Sequence, residues 1–239
     1  MRRGISVLAA VALSVGLAPA ASAAVLDPQQ GEEVQAQMAH LGYEVGLKAA
    51  RNNLDIGKKS REEILRFQTR YDLPKSGHLG RVSQAALEDL AGSRRVPKRC
   101  LTGEFTICVD KHARVVRAIN ADGDVVRVMD ARFGAEGMET REGKFRVYRS
   151  GRDHVSTEYD SPMPFSLFFD GGQAVHFSYE FRSDPRSDSH GCVGLRDYEG
   201  AEWLYDKSKI GTPVVVLSRP PLRRLPPPEP IGPPLALGE

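Results

Sequence analysis

The hydrophobic pattern of this chain changes its period once, and that change limits the folds that are open to it. Between residues 32 and 92 apolar side chains recur at helical spacing, as Val34, Met38 and Leu41 do at positions i, i+4 and i+7. After residue 100 the apolar residues form short β-branched and aromatic runs, separated by turn signals such as Asp122-Gly123-Asp124. We therefore expect a small helical unit followed by a β-rich domain.

Three short helices are predicted in the first unit, residues 32–92. The first ends at Gly42, a common helix stop. The second opens at Ser60, which together with Glu63 has the spacing of a capping box. A turn at Leu73-Pro74 separates it from the third helix, which is predicted to start at Ser83.

Residues 100–218 are predicted to form one β-rich domain. The strand-like runs are 105–109, 115–119, 125–129, 145–148, 165–169, 174–177 and 213–217, and only Tyr198–Lys209 has a helical pattern. The fold class is therefore α+β: a small three-helix bundle followed by a β-rich sandwich domain with one helix. Residues 219–239 contain three consecutive prolines and are predicted to be a Pro-rich tail.

The first 23 residues are predicted to be a signal peptide. Arg2 and Arg3 precede an apolar stretch, Ile5–Leu17, and Ala21-Ser22-Ala23 has the small-x-small form of a cleavage site. The apolar stretch is shorter than the roughly 20 residues that a membrane span needs, so we expect no stable membrane insertion after cleavage. An uncleaved N-terminal anchor is the alternative. The sequence thus predicts a secreted protein in the cell wall or a periplasm-like space.

Charge and cysteine count bear on partners and on redox state. The formal net charge of +2 lacks the basic excess that is typical of nucleic-acid-binding proteins. Three cysteines in an exported chain leave at least one thiol free or shared with another chain. Two short strands around the intervening Thr-Gly turn would bring Cys100 and Cys108 within bonding range, which would leave Cys192 as the odd thiol. Three unpaired buried cysteines are the alternative.

The helical segment resembles the peptidoglycan-binding domain family. The positions that carry the resemblance are Leu41-Gly42-Tyr43, Phe67-Gln68, Leu73-Pro74, Gly77 and Ser83-Gln84-Ala85-Ala86-Leu87, whereas 49–59 depart from the family's usual loop. The resemblance implies that residues 32–92 bind cell-wall glycan. A purely structural bundle is the alternative, because likeness of fold alone does not establish function.

The segment Ser189-His190-Gly191-Cys192 is the part of the chain with the clearest chemistry. A thiol attacks a carbonyl carbon as thiolate, and a nearby imidazole can take its proton and return it to a leaving amine. His176, upstream on a predicted strand, offers such an imidazole. A glycine before the nucleophile allows a tight turn that aims backbone N–H groups at a developing oxyanion.

A histidine separated by 15 residues from the cysteine of a Ser-His-Gly-Cys segment, as His176 is from Cys192, resembles the L,D-transpeptidase catalytic domain (YkuD-like). The resemblance covers about 100–218 and includes the Gly-Gly-Gln-Ala-Val-His strand and the Ser-Pro-Met-Pro loop at 161–164. It implies a cysteine acyltransferase that attacks the L,D-configured amide of peptidoglycan stem peptides. Terminal D-alanine would leave, and an acceptor amine would take the acyl group to form a 3→3 cross-link. Carbapenems acylate this family's cysteine.

The resemblance assigns roles to individual residues. Cys192 is the nucleophile and His176 its general base, oriented by the backbone carbonyl of Phe177. His190, Gly191 and Cys192 frame the oxyanion hole, and Ser189 supports the loop. No cofactor and no metal are expected, because the zinc set His176, His190 and Cys192 lacks the usual ligand-pair spacings.

The chain departs from the family pattern two residues after the nucleophile. The family has Asn or Arg there, and this chain has Gly194. Arg196, two residues further on, is expected to supply a cation for a substrate carboxylate instead. The alternatives to cross-linking are an L,D-carboxypeptidase, in which water accepts the acyl group, and a peptidoglycan-binding protein without catalysis.

Overall fold

The computed structural model describes residues 28–50, 53–56, 58–91 and 96–217. The predicted signal peptide, residues 1–23, and the Pro-rich tail, residues 219–239, lie outside these ranges. Within them no helix is long and apolar enough to cross a membrane.

The first unit consists of three helices and a small hairpin. It contains α1 (Pro28–His40), β1 (Leu47–Ala50), β2 (Asn53–Ile56), α2 (Lys58–Arg70) and α3 (Arg81–Ala91). Helix α1 starts before the predicted boundary at residue 32, since proline is well tolerated at the first helical position. The antiparallel β1–β2 pair was not predicted, because each strand has only four residues, which is too short a stretch to establish a periodicity.

Ser60 and Glu63 do not form the capping box that the sequence indicates. Helix α2 begins at Lys58, so Ser60 is already helical, and its hydroxyl exchanges hydrogen bonds with the backbone of Gly46 at 3.0 Å. The Glu63 carboxylate bonds Arg66 and Arg196. The prediction of a capping box was wrong because both side chains bond residues distant in the chain, Ser60 with Gly46 and Glu63 with Arg196.

The second unit is one nine-stranded sheet with two helices. A short 3₁₀ turn, Lys98–Cys100, leads into it. Its elements are β3 (Thr106–Asp110), β4 (Val115–Ile119), β5 (Val125–Arg132), β6 (Gly143–Arg146), β7 (Arg149–Val155), β8 (Pro162–Asp170), β9 (Gln173–Phe177), α4 (Tyr179–Ser183), β10 (Val193–Leu195), α5 (Tyr198–Lys207) and β11 (Pro213–Leu217). The strand order is β6-β11-β3-β4-β5-β10-β9-β8-β7.

This sheet curls so that its two halves face each other. Phe145 on β6 and Phe169 on β8 stand near opposite edges, yet their ring centroids are 5.4 Å apart. Between the two halves lies the main core, which includes Ile107, Met129 and Val193. The curl gives the expected sandwich, and the α+β fold class is confirmed.

The prediction of one helix in the β-rich domain was incomplete. Helix α5 matches the predicted helix to within two residues, but α4 was missed. It has only five residues and depends on the Ser178 hydroxyl, which accepts a hydrogen bond from the backbone N–H of Phe181 at 3.2 Å. A helix of one turn leaves no apolar periodicity to detect.

The helical unit packs on the outer face of the curled sheet. Val115 and Val128 of the sheet belong to the same apolar cluster as Tyr43 and Phe67 of the helical unit. Beside them the buried Asp130 carboxylate accepts hydrogen bonds from the Tyr43 hydroxyl at 2.6 Å and from Arg70 Nε at 3.2 Å. The two units therefore share one core and one buried polar network.

Candidate active site

The register of three neighbouring strands places the candidate residues on one face of the sheet. Strand β10 lies between β9 and β5, where Gly194 pairs with His176 on one side and with Arg132 on the other. Residues that pair across strands project to the same face, and side chains alternate along each strand. Cys192, two positions before Gly194, therefore shares this outer face with His176 and Arg132.

A cavity of about 540 Å³ opens over these side chains. Cys192, His176 and Ser189 line it, and so do Arg132 and Tyr159, which no pattern in the sequence indicated. The register of the sheet thus gathers a thiol, an imidazole and a guanidinium in one concave site.

Cys192 is a free thiol at a half-buried position. Its Sγ–H points to the carbonyl oxygen of Gly172 at 3.9 Å, rather than to the imidazole of His176. Burial raises the pKa of the Cys192 thiol, while the backbone N–H of Ala174 and the charge of Arg132 oppose that rise. At neutral pH the resting group is therefore the neutral thiol, which needs a base before it can attack.

His176 is held in the tautomer that a general base requires. Its Nδ1 lies 2.7 Å from the carbonyl oxygen of Phe177, and a carbonyl can only accept, so Nδ1 carries the proton and Nε2 has a free lone pair. Burial lowers the pKa of His176 to about 4, with Arg132 and His154 adding to the effect and the bond to Phe177 opposing it. The imidazole is neutral at physiological pH and able to accept a proton.

Ser189 fixes the shape of the turn before Cys192. Its hydroxyl donates to the carbonyl oxygen of Cys192 at 2.6 Å and accepts from the N–H of Gly191 at 3.2 Å. Gly191 has φ +115°, and a Cβ there would lie 2.5 Å from the side-chain nitrogen of Gln173, so only glycine fits.

The expected oxyanion role of Gly191 needs correction. Its N–H already donates within the loop to Ser189, so Gly191 contributes its conformation rather than a donor. In the part of the chain that the structure describes, the backbone N–H groups of His190 and Cys192 show no such partner. These two remain as candidate oxyanion donors.

His190 is exposed, and its ring stacks on Tyr159 with centroids 4.2 Å apart. Tyr159 stands in the loop before β8 and forms part of the cavity rim. The sequence carries no signal for this residue, because its contact with His190 joins two loops that are far apart in the chain.

Arg196 is not in the cavity, and its predicted role in binding a substrate carboxylate was wrong. It shares the face of Cys192, but it lies four residues along the chain, about 13 Å away in an extended strand, beneath the helical unit. Its side chain is 1% exposed, donates to the carbonyl oxygens of Phe181 and Arg182, and pairs with Glu63 at 2.9 Å. Its charge is paired with Glu63 of the helical unit instead of facing the cavity.

Arg132 lines the cavity, whereas Arg196 does not. It ends β5, and its Nη1 donates to the Ser187 hydroxyl and to the Asp188 carbonyl oxygen, both at 2.9 Å, while Nη2 lies 2.8 Å from Glu180. The alternation of β5 would have placed Arg132 on the outer face, but only the pairing of β5 with β10 brings it beside Gly194.

The other two cysteines lie far from this cavity, in an apolar cluster of the sheet. Cys100 and Cys108 are joined in a disulfide with Cα atoms 5.7 Å apart. Cys108 stands on β3 as expected, whereas Cys100 ends the 3₁₀ turn instead of a strand, because Pro97 precedes that turn and directs the chain into it. Among the described residues no cluster of three or more His, Cys, Asp and Glu side chains is arranged to hold a metal ion.

Comparison with known proteins agrees with this geometry. The family model of the L,D-transpeptidase catalytic domain (YkuD) matches residues 104–216. An L,D-transpeptidase from Xylanimonas cellulosilytica is 28% identical with a TM-score of 0.56, over 84% of this chain and 100% of that chain. One from Stackebrandtia nassauensis is 21% identical with a TM-score of 0.51, over 85% of this chain and 99% of that chain. No curated protein matches the chain.

Proposed function

We propose that this protein, whose residues 104–216 match the model of the L,D-transpeptidase catalytic domain, cross-links peptidoglycan stem peptides through a thioester on Cys192. One observation carries the proposal: a free thiol and a neutral imidazole with an unprotonated Nε2 line the same cavity. A thiol and a base in one concave site are what acyl transfer requires.

The first half-reaction forms the acyl-enzyme. The Cys192 side chain turns from Gly172 toward His176, whose Nε2 takes the thiol proton. The thiolate adds to the carbonyl carbon of the amide between the third and fourth stem residues, and the oxyanion accepts hydrogen bonds from backbone N–H groups at His190 and Cys192. The C–N bond then breaks, the imidazolium protonates the leaving amine, and D-alanine departs.

The second half-reaction transfers the acyl group. An amine from the third residue of a neighbouring stem attacks the thioester carbon and loses a proton to Nε2 of His176. Collapse of the adduct breaks the C–S bond, and the proton returns to Sγ. The product is a 3→3 cross-link, and water in place of the amine would give an L,D-carboxypeptidase.

The proposed place of action is the cell wall after export, and peptidoglycan is the proposed partner of both units. The Leu41-Gly42-Tyr43 step, part of the resemblance to peptidoglycan-binding domains, is turned toward the sheet. The surface of the helical unit that is proposed to bind the wall is therefore the part that does not face the sheet.

Intact-mass spectrometry with a carbapenem tests the nucleophile. The purified protein with reduced Cys192 should gain the mass of one carbapenem, and Cys192→Ala should gain none. Cys108 provides no competing thiol while it is disulfide-bonded. A folded, reduced wild-type sample that gains no mass would contradict the acyl-enzyme and favour a binding protein without catalysis.

A tetrapeptide stem with and without an acceptor stem then separates the outcomes of acyl transfer. A cross-linked dimer together with released D-alanine supports the transpeptidase. Release of D-alanine with only the shortened tripeptide, even at high acceptor concentration, would assign the carboxypeptidase instead.

A further inference from the structure

Arg132 is the buried cation of the catalytic cavity. Only 8% of its side chain is exposed, although it lines the same cavity as Cys192 and His176. Its Nη1 is fully occupied by Ser187 and Asp188 on the segment that leads to the nucleophile. The guanidinium is thus fixed in position before any substrate arrives.

Gly194 creates the space through which Arg132 reaches the site. A Cβ built at Gly194 would lie 3.0 Å from both Cγ and Nε of Arg132, so the arginine stem occupies the volume that a side chain would take. Arg132 and His176 stand on either side of Gly194, two strand spacings or about 10 Å apart at the backbone. The long arginine side chain spans that gap and brings its charge next to the reacting groups.

One edge of the Arg132 guanidinium, formed by Nε and Nη2, does not have all of its hydrogen bonds satisfied. Among the described residues Nε has no hydrogen-bond partner although it is buried. Nη2 pairs at 2.8 Å with Glu180, whose own side chain is 66% exposed. A buried donor without a partner is costly, and this edge matches the two oxygens of a carboxylate.

We propose that Arg132 binds the free α-carboxylate of the peptide that donates the acyl group, and that this carboxylate displaces Glu180 from the Nε–Nη2 edge. The inference rests on the proposed function, since it concerns the substrate of that same site. Glu180 pairs only with Nη2, so a substrate carboxylate that replaces it gains a second donor at Nε.

This anchor makes the length of the donor peptide a specificity determinant. In a stem that ends in D-alanine as its fourth residue, the carboxylate lies directly beyond the scissile amide. A fifth residue moves the carboxylate away by about 3.5 Å, the span of one extended residue. Because Arg132 is held by Ser187 and Asp188, it does not follow, and the longer stem is rejected.

The test compares a tetrapeptide stem that has a C-terminal carboxylate with the same peptide as a C-terminal amide. We expect the wild-type protein to favour the acid by about 10- to 100-fold in kcat/KM, as a charge-assisted hydrogen-bonded pair implies. Arg132→Gln should bring that ratio close to one, because the loss in kcat/KM falls mainly on the acid. Arg146→Gln, which removes an arginine of an exposed ion pair outside the cavity, is the matched control and should keep the wild-type ratio.

Glu180→Gln provides a second test that does not depend on a buried substitution. Removing the competing carboxylate should lower KM for the acid by about two- to fivefold, the range of an exposed ion pair, and should lower the acid-to-amide ratio of KM values by the same factor. This variant decides the question if Arg132→Gln does not fold.

Three results would count against the inference. A wild-type protein that consumes neither peptide overturns the proposed function and this inference with it. An active wild type whose acid-to-amide ratio persists in folded Arg132→Gln overturns the inference alone. The same holds if Glu180→Gln leaves KM for the acid unchanged or raises it.

Discussion

Arg196 and Glu63 are 133 positions apart in the chain, yet Nη2 of Arg196 donates to Oε2 of Glu63 at 2.9 Å in a nearly dry contact. The guanidinium also lies over the ring of Tyr43, 4.4 Å from its centroid. Arg196 follows Cys192 by four residues, and the two residues flank β10 at its opposite ends. The helical unit thus binds the chain directly after β10, the strand that follows Cys192. The helical unit is therefore a structural part of the same folded body as the β-rich domain.

Replacing Arg196 should destabilise the whole protein. Arg196→Met leaves Oε2 of Glu63 buried without its partner, while Arg66 still pairs with Oε1. Breaking a buried pair typically costs about 3–5 kcal/mol in free energy of unfolding, and the remaining pair places the expected loss toward the lower end. Urea denaturation followed by circular dichroism measures the effect. Adding Glu63→Gln should restore at least about 1 kcal/mol, because it removes the carboxylate charge that Arg196 had balanced.

Lys59→Ala is the control for that experiment. Lys59 pairs with Glu44 at 2.7 Å, but both side chains are well exposed, so the expected loss is below about 1 kcal/mol. Equal losses for Arg196→Met and Lys59→Ala would show that the Arg196–Glu63 pair contributes no more to stability than an exposed ion pair.

Gly42 tests how closely the two units approach. It has φ +86°, and a Cβ there would lie 2.7 Å from the backbone nitrogen of Asp197. Gly42→Ala should therefore lower the free energy of unfolding by the left-handed backbone cost of about 1–2 kcal/mol and, in addition, by about 1–3 kcal/mol for forcing the backbones apart. Gly103→Ala, at φ +74° in open space, should show the backbone cost alone. If the two variants unfold at the same urea concentration, the close approach is absent.

The pH dependence of acylation should reflect the buried imidazole. Because the pKa of His176 is lowered to about 4, its Nε2 is free above that value and becomes blocked as the pH falls through it. The raised pKa of the Cys192 thiol keeps the direct thiolate route out of the neutral range. The rate of carbapenem acylation should therefore be flat from about pH 5.5 to 8 and decline toward pH 4. A decline centred near 6.5, the ordinary value for histidine, would contradict the burial of His176.

Gly194→Asn should impair the protein even though the family has Asn or Arg at this position. The new side chain must occupy the volume that holds Arg132, and such overpacking costs about 1–3 kcal/mol of stability. The preference for a donor carboxylate should fall with it, as Arg132 is displaced. In an Arg132→Ala background the same substitution should cost at least about 1 kcal/mol less. Additive losses in the double-mutant cycle would mean that Gly194 and Arg132 do not share space.

The Cys100–Cys108 disulfide should stabilise the oxidised protein. It closes a loop of sequence separation 8, for which chain entropy gives about 2–3 kcal/mol. Urea denaturation with and without a phosphine reductant measures the difference. Thiol titration of the denatured, unreduced protein should find one thiol, that of Cys192, and three reactive thiols would show that the bond does not form.

The predictable part of the site depends on short-range order. Ser189, Gly191 and Cys192 form one turn whose bonds run between near neighbours, and His176 finds its carbonyl partner on the next residue, Phe177. Such contacts follow from local spacing, so the thiol and the imidazole can be selected from the amino-acid sequence alone. The α+β order of the chain is accessible for the same reason, because apolar periodicity is a local property.

Contacts between residues far apart in the chain could not be predicted from local spacing. Alternation along β10 puts Cys192, Gly194 and Arg196 on one face, which is why Arg196 was a reasonable candidate for substrate binding. Only the docking of the helical unit decides that this face is open at Cys192 and covered at Arg196. Only the pairing of β5 with β10 decides that Arg132 fills the space over Gly194. The sequence by itself determined which groups can react, whereas the tertiary structure decided which charges meet the substrate, because long-range packing selects among side chains that local pattern treats alike.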